Sequence, residues 1–88
     1  MRPEKQIEVY RRKMDEITGQ LISLIHKRDS VAMRIGSAKR KLGIPVTDIK
    51  RERKVLLEAQ KIAKRRDVDP HLVKSILILL IKHSRKLQ

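Results

Sequence analysis

The first half of this chain carries an apolar stripe with the spacing of a helical seam. Apolar residues recur at alternating steps of three and four over five heptads, and the stripe is interrupted once, at Arg28. Its members are Ile7, Tyr10, Met14, Ile17, Leu21, Leu24, Val31, Ile35, Ala38 and Leu42. Because Gly43 and Pro45 end the pattern, we predict a single helix from about Glu4 to Leu42.

Two shorter helices are predicted in the second half. Asp48 or Thr47 caps the first of them, and Asp69 followed by Pro70 opens the second. Both have an apolar face, and only Glu52 interrupts the stripe of the first, which is formed by Ile49, Leu56, Ala59 and Ala63. No alternation typical of a strand occurs. The predicted fold class is therefore all-α, with one long helix and two shorter ones in a single domain spanning residues 1–88.

The predicted long helix is too long for a compact monomer. It would run roughly 55–60 Å at 1.5 Å per residue, whereas a compact chain of this length has a radius of gyration of about 12 Å. Gly19 and Gly36 each cost such a helix about 1 kcal/mol relative to Ala without interrupting its pattern. We therefore expect an intertwined helical homodimer with antiparallel long helices, which brings Arg11 of one copy near Lys39 of the other.

Two cationic side chains lie on the apolar face of the predicted long helix, which we expect to be buried. Arg28 occupies a seam position, and Lys39 follows on the same face three turns later, about 16 Å away. An Arg in a seam is costly to bury unless it is paired with an anion. Either Arg28 extends to the surface at a helix crossing, or its anion is a ligand.

Further polar residues point inward from the shorter helices. Asp48, Arg51 and Glu52 share one face of the second helix, and Ser84 and Gln88 continue the apolar face of the third. The alternatives are a solvated ladder of ion pairs and a frayed helix end. Together with Arg28 and Lys39, however, these groups indicate a net-positive polar cavity, which suits a small polyanionic ligand.

The amino-acid composition excludes several kinds of catalytic and binding site. The chain has 23 Lys and Arg against 10 Asp and Glu, no Cys and one aromatic residue, Tyr10. Thiolate nucleophiles and Cys-ligated zinc are thereby excluded, and no base-stacking platform exists. The three His residues lack the spacing of a metal site. The longest apolar run, Ile76–Ile81, is too short to span a bilayer. We expect a cytoplasmic protein with no metal, no cofactor, and neither a membrane nor a nucleic acid as partner.

From about Glu8 to Gln88 the sequence resembles the all-helical class of chorismate mutases. The resemblance is carried by "HKRDSVA", "IGSAKRKLGIPVTDIKRE" and "HSRKLQ". The positions that match the active-site set of that family are Arg11, Arg28, Lys39, Asp48, Arg51, Glu52, Ser84 and Gln88. The resemblance implies an isomerase that rearranges chorismate to prephenate, the step of the shikimate pathway committed to phenylalanine and tyrosine biosynthesis. It also implies a homodimer with shared sites and no cofactor.

The resemblance implies that four residues bind the two carboxylates and the ether oxygen of the substrate. Arg28 and Arg11 of the partner copy would bind the two carboxylates of chorismate, where a bidentate Arg fixes orientation as well as charge. Lys39 and Gln88 would donate to the ether oxygen, on which negative charge grows as the C–O bond breaks.

The other four residues of the set would make the remaining contacts with the substrate or order another residue of the site. Glu52 and the backbone N–H of Asp48 would bind the ring hydroxyl, and Ser84 would bind a carboxylate. Arg51 would order either Glu52 or the ligand. Because the rearrangement is unimolecular, shape and charge suffice without a covalent intermediate.

Three alternative functions stay open at this point. An isochorismate pyruvate lyase would use the same fold for a related elimination, although the segment from Asp48 to Glu52 favours the mutase. A basic helical nucleic-acid-binding module is supported only by the net charge of +13. A purely structural dimer would leave the inward charges unexplained.

Overall fold

Three α-helices and no strands make up the chain. The computed structural model describes all 88 residues, with α1 at Pro3–Leu42, α2 at Ile49–Arg65 and α3 at Pro70–Leu87. The predicted all-α class with one long and two shorter helices is confirmed. None of the three helices combines the length and the apolar character needed to cross a membrane.

The end of α1 is set by Gly43. This residue has a φ of +66°, which Gly adopts without the steric cost that a Cβ would bring. The amide of Gly43 donates to the carbonyl of Arg40 over 3.3 Å, and the amide of Ile44 donates to that of Lys39 over 3.0 Å. These two bonds form a Schellman motif, so the predicted stop after Leu42 is confirmed.

The two shorter helices begin at aspartate caps. The carboxylate of Asp48 accepts from the amide of Arg51 over 3.0 Å, and that of Asp69 accepts from the amide of His71 over 2.9 Å. Of the two caps considered for α2, Asp48 is therefore the one used. Pro70 occupies the first turn of α3, where its missing N–H costs nothing.

The chain divides into two compact units, and the first is Met1–Ser30. It consists almost entirely of the first part of α1. Its apolar stripe is exposed, with between 51% and 63% of each residue accessible to solvent. The residues concerned are Ile7, Tyr10, Met14, Ile17, Leu21 and Leu24.

The second unit is Val31–Gln88. It holds the last turns of α1 together with α2 and α3, which pack against each other. The buried residues of the whole chain all lie here, and all are small: Ala32, Gly36 and Ala63. A single chain therefore buries no large apolar side chain. The single domain over residues 1–88 stays a prediction.

Candidate active site

Lys39 is the centre of a polar cluster in the second unit. Its Nζ donates to the main-chain carbonyl of Val46 over 2.7 Å and to Oε1 of Gln88 over 2.9 Å. The Schellman turn after Leu42 reverses the chain, which brings Val46 back to the last turns of α1. Both contacts are half-buried, so the ammonium group is held by two acceptors at the edge of the protein interior.

The contact with Lys39 determines how the amide of Gln88 is oriented. A lysine ammonium has only donors, so the amide atom facing it must be the oxygen. The NH2 group of the same amide is then left as a donor for another acceptor. Lys39 and Gln88 therefore provide N–H donors at one place, although they are far apart in the sequence.

Glu52 is held by an arginine that the sequence analysis did not single out. Nε of Arg85 donates to Oε2 of Glu52 over 2.8 Å, and Nη2 donates to Oε1. The Glu52 side chain is 18% exposed and that of Arg85 is 36% exposed. This is a two-point guanidinium–carboxylate pair between α2 and α3, a geometry that fixes the orientation of both groups.

The pair also changes the acidity of Glu52. The hydrogen bonds from Arg85 lower the pKa of the Glu52 carboxyl, and the positive charges of Arg85 and Lys39 act in the same direction. Burial and the negative charge of Asp48 oppose this shift without reversing it. Glu52 therefore stays an ionised acceptor at pH values where an isolated Glu would begin to take up a proton.

Arg85 could have been found by the reasoning applied to Glu52. Ile78, Ile81 and Arg85 fall at steps of three and four on α3, so Arg85 continues an apolar face. An Arg at such a position requires an anionic partner. The resemblance implied that Arg51 would order Glu52 or the ligand, whereas in the structure the carboxylate of Glu52 is bound by Arg85.

Three more of the predicted site residues are close in sequence to Glu52 or Arg85, namely Asp48, Arg51 and Ser84. Asp48 and Arg51 are exposed at the start of α2 and are joined through the cap described above. Ser84 is half-buried in the last turn of α3, where its main-chain carbonyl accepts from the amide of Gln88 over 3.1 Å. Six of the eight predicted site residues thus belong to the second unit.

The other two predicted site residues belong to the first unit. Arg11 is exposed, and Arg28, at the interruption of the seam, is half-buried. The exposed position of Arg11 leaves its guanidinium accessible to another molecule.

No cluster of metal-binding side chains accompanies these residues. No group of three or more His, Asp or Glu side chains lies close enough together to hold a metal ion. An open groove of 590 Å³ follows one face of α2 and contains none of the predicted site residues. It is lined by Ile49, Lys50, Arg53, Lys54, Leu57, Glu58 and Lys61.

The cluster of the second unit can bind and polarise an anionic, oxygen-rich molecule. It offers one ammonium group, an amide N–H group and an ionised carboxylate. Nothing in it resembles an activated nucleophile or an acid–base pair poised near neutral pH. Its chemistry is therefore electrostatic and conformational.

Comparison with known proteins identifies the same family that the sequence motifs resemble. Residues 10–88 match the family described as chorismate mutase type II. A chorismate mutase of Methanocaldococcus jannaschii is 36% identical over 85 residues, which cover 97% of this chain and 85% of that protein. The resemblance stated from the sequence is confirmed. The chain therefore belongs to the type II chorismate mutase family, which is a family of isomerases.

Proposed function

We propose that this chain converts chorismate to prephenate by electrostatic and conformational stabilisation, without a covalent intermediate. The observation that carries the proposal is the meeting of Lys39 with Gln88 beside the ionised Glu52, within the residues that match the family. Chorismate is a dianion with an ether oxygen and a ring hydroxyl, and this cluster offers donors for the ether oxygen and an acceptor for the hydroxyl.

The ether oxygen is the place where charge changes most. As the C–O bond breaks, negative charge grows on this oxygen, and N–H donors aimed at it stabilise the transition state more than the ground state. We assign this role to the ammonium of Lys39 and the NH2 group of Gln88. With the chair-like conformer held in place, an acceleration of ~10⁶-fold requires on the order of 8 kcal/mol.

The ring hydroxyl is assigned to Glu52 and the backbone N–H of Asp48. Arg85 donates one hydrogen bond to each oxygen of the Glu52 carboxylate, and each oxygen has a further lone pair with which to accept a substrate hydroxyl. We propose that Arg85 keeps Glu52 ionised and oriented. Arg51 is then left for the ligand, the second of the two roles expected for it.

The carboxylates of the substrate are assigned to Arg28, Ser84 and the Arg11 of a second copy. Arg28 and Arg11 would each bind one carboxylate, and Ser84 would add a hydrogen bond. Loss of Arg28 should therefore raise KM as well as lower kcat, because its contact is already made in the ground state.

An intertwined homodimer supplies the second Arg11. Support comes from the exposed apolar stripe of Met1–Ser30 and from the absence of any large buried side chain in the single chain. An antiparallel pair of α1 helices would cover this stripe with an identical stripe. We propose that each dimer contains two active sites built in this way.

The direct test is an assay of the purified protein with chorismate. Loss of chorismate is followed by ultraviolet absorbance, and the product is identified as prephenate. Parallel incubation with isochorismate tests for the lyase, which would release pyruvate. Turnover of isochorismate alone would contradict the proposal. Because we expect no metal or cofactor, added chelator should leave the rate unchanged.

The shared site is tested by mixing two inactive variants. Homodimers of Arg11→Ala and Arg28→Ala are unfolded together and reassembled. Half of the dimers are then mixed, and each mixed dimer carries one intact site, so about a quarter of the wild-type activity should return. Absence of any recovery would count against a site shared between two copies.

The location and the partners of the protein are proposed as they were predicted from the sequence. The cytoplasm is our prediction for the location of the enzyme. We propose neither a nucleic acid nor a membrane as partner. The excess positive charge would instead attract a dianionic substrate, an effect that should weaken as salt is added.

A further inference from the structure

The main chain of Gln88 lies unusually close to α1. An ideal Cβ built on Gly36 would lie 2.6 Å from Cα of Gln88, 2.8 Å from its carbonyl oxygen and 3.1 Å from its carbonyl carbon. Ordinary contacts of a Cβ are at 3.4–4 Å. Since the atoms facing Gly36 are main-chain atoms, no side-chain rotation can relieve the overlap.

A second contact holds the same residue from the next turn of α1. Nη1 of Arg40 donates to the main-chain carbonyl of Gln88 over 2.6 Å. Gly36, Lys39 and Arg40 stand at steps of three and four and therefore share one face of α1. Two of them contact the main chain of Gln88, and the third contacts its side chain.

We infer that Gly36 and Arg40 are positioning residues that seat the main chain of Gln88 on α1 and thereby set where its amide meets Lys39. The inference rests on the catalytic role proposed for Gln88. Gly36 allows the close approach, and Arg40 holds the residue there. Neither touches the substrate, and both act through Gln88.

The chain offers a matched control for Gly36. Gly19 also lies within α1, but nothing lies within 4 Å of a Cβ built on it. Both Gly→Ala substitutions introduce a better helix former. Gly36→Ala should displace Gln88 by about 1 Å and lower kcat by about 10–100-fold, with a smaller change in KM. Gly19→Ala should leave both parameters unchanged.

Arg40 gives a second and milder variant. Arg40→Met should lower kcat by at most about tenfold, because one hydrogen bond to a carbonyl is lost and the close packing at Gly36 is kept. Since only Nη1 makes the bond, Arg40→Lys should restore most of this loss. A merely structural role for Arg40 would not predict rescue of kcat by another donor.

Two further measurements separate positioning from general damage. In the Gln88→Ala background, Gly36→Ala should cost no further activity, because the side-chain amide that it positions is already gone. Hydrogen exchange of the amides of residues 84–88 should speed up in Gly36→Ala and Arg40→Met, and it should not change in Gly19→Ala.

Failure of the inference can be told from failure of the proposed function. If Gln88→Ala keeps the wild-type rate, the catalytic role of Gln88 is wrong, and a positioning role for Gly36 and Arg40 in turnover falls with it. If Gln88→Ala loses activity while Gly36→Ala and Arg40→Met keep both their rate and their exchange protection, only the positioning inference is overturned. The exchange measurement stands whether or not chorismate is turned over.

Discussion

The two units of the chain differ in what holds their residues in place. In Met1–Ser30 the apolar residues form a regular but exposed stripe. In Val31–Gln88 the chain makes its own long-range polar contacts, from Lys39 to Gln88 and from Glu52 to Arg85. If the proposed dimer forms, the first unit would be packed by the second copy, whereas the contacts named in the second unit are made within one chain. Each substitution described below alters residues of only one of the two units.

The largest effect should come from breaking the stripe of the first unit. Leu24 lies near the middle of the seam, so in an antiparallel dimer Leu24→Asp would place two carboxylates close together in an apolar contact. We expect loss of the dimer and of all measurable activity. Ser23→Asp is the matched control, because Ser23 is exposed and lies off the stripe. Sedimentation and the chorismate assay measure both results, and an active, dimeric Leu24→Asp protein would contradict the proposed assembly.

A large effect on chemistry alone is expected at Lys39 in the second unit. Lys39→Ala should lower kcat by about 10²–10³-fold, because one donor to the developing charge is lost. Helix content by circular dichroism should be unchanged. Lys41→Ala removes an exposed lysine from the same turn and should have no such effect. Near-normal turnover of Lys39→Ala would remove Lys39 from the mechanism.

A pH-dependent effect is expected at Arg85. The pKa of Glu52 is lowered chiefly by its hydrogen bonds from Arg85, with Lys39 adding to this and Asp48 opposing it. In Arg85→Met the pKa of Glu52 should rise, so the acid limb of kcat/KM moves to higher pH. Lys86→Met, which removes an exposed neighbouring charge, should leave the limb in place. An unshifted limb in Arg85→Met would show that Arg85 does not control the ionisation of Glu52.

The same pair should contribute to stability with a definite sign. Because the pKa of Glu52 is lower in the folded chain, the contribution is present above the unfolded value of 4.5 and is lost as the pH falls through the folded value. Urea unfolding at pH 7 and at pH 3 should therefore show a smaller difference in Arg85→Met than in the wild type. Partial exposure of Arg85 keeps this effect modest.

The smallest effect concerns the backbone at the end of α2. Asp67 has a φ of 55°, a left-handed conformation that is unfavourable for a residue with a Cβ. Asp67→Gly should raise the free energy of unfolding by about 0.5–1 kcal/mol and leave turnover unchanged, because the change is remote from Lys39 and Glu52 in the chain. Gly43→Ala, at the equivalent turn after α1, should have the opposite sign. Thermal unfolding measures both, and destabilisation by Asp67→Gly would contradict this account.

The helices were predictable because local chemistry decides them. Asp48, Asp69 and Pro70 act within one turn of their own helix, and Gly43 needs only its own φ to end α1. The inward position of Glu52 was also predictable, since a carboxylate on an apolar stripe signals an unusual environment. Its partner was not predicted, because the identity of that partner depends on how α2 and α3 meet.

The sequence by itself determined three helices, their ends, and the polar residues that interrupt the apolar faces, since periodicity and caps act over a few residues. It made Gly19 and Gly36 equivalent, because each weakens a helix to the same extent. Only the tertiary structure distinguished them, by bringing Gln88 against Gly36 and leaving open space at Gly19. It likewise joined Lys39 to Gln88, 49 residues away, since such a contact depends on how whole helices pack.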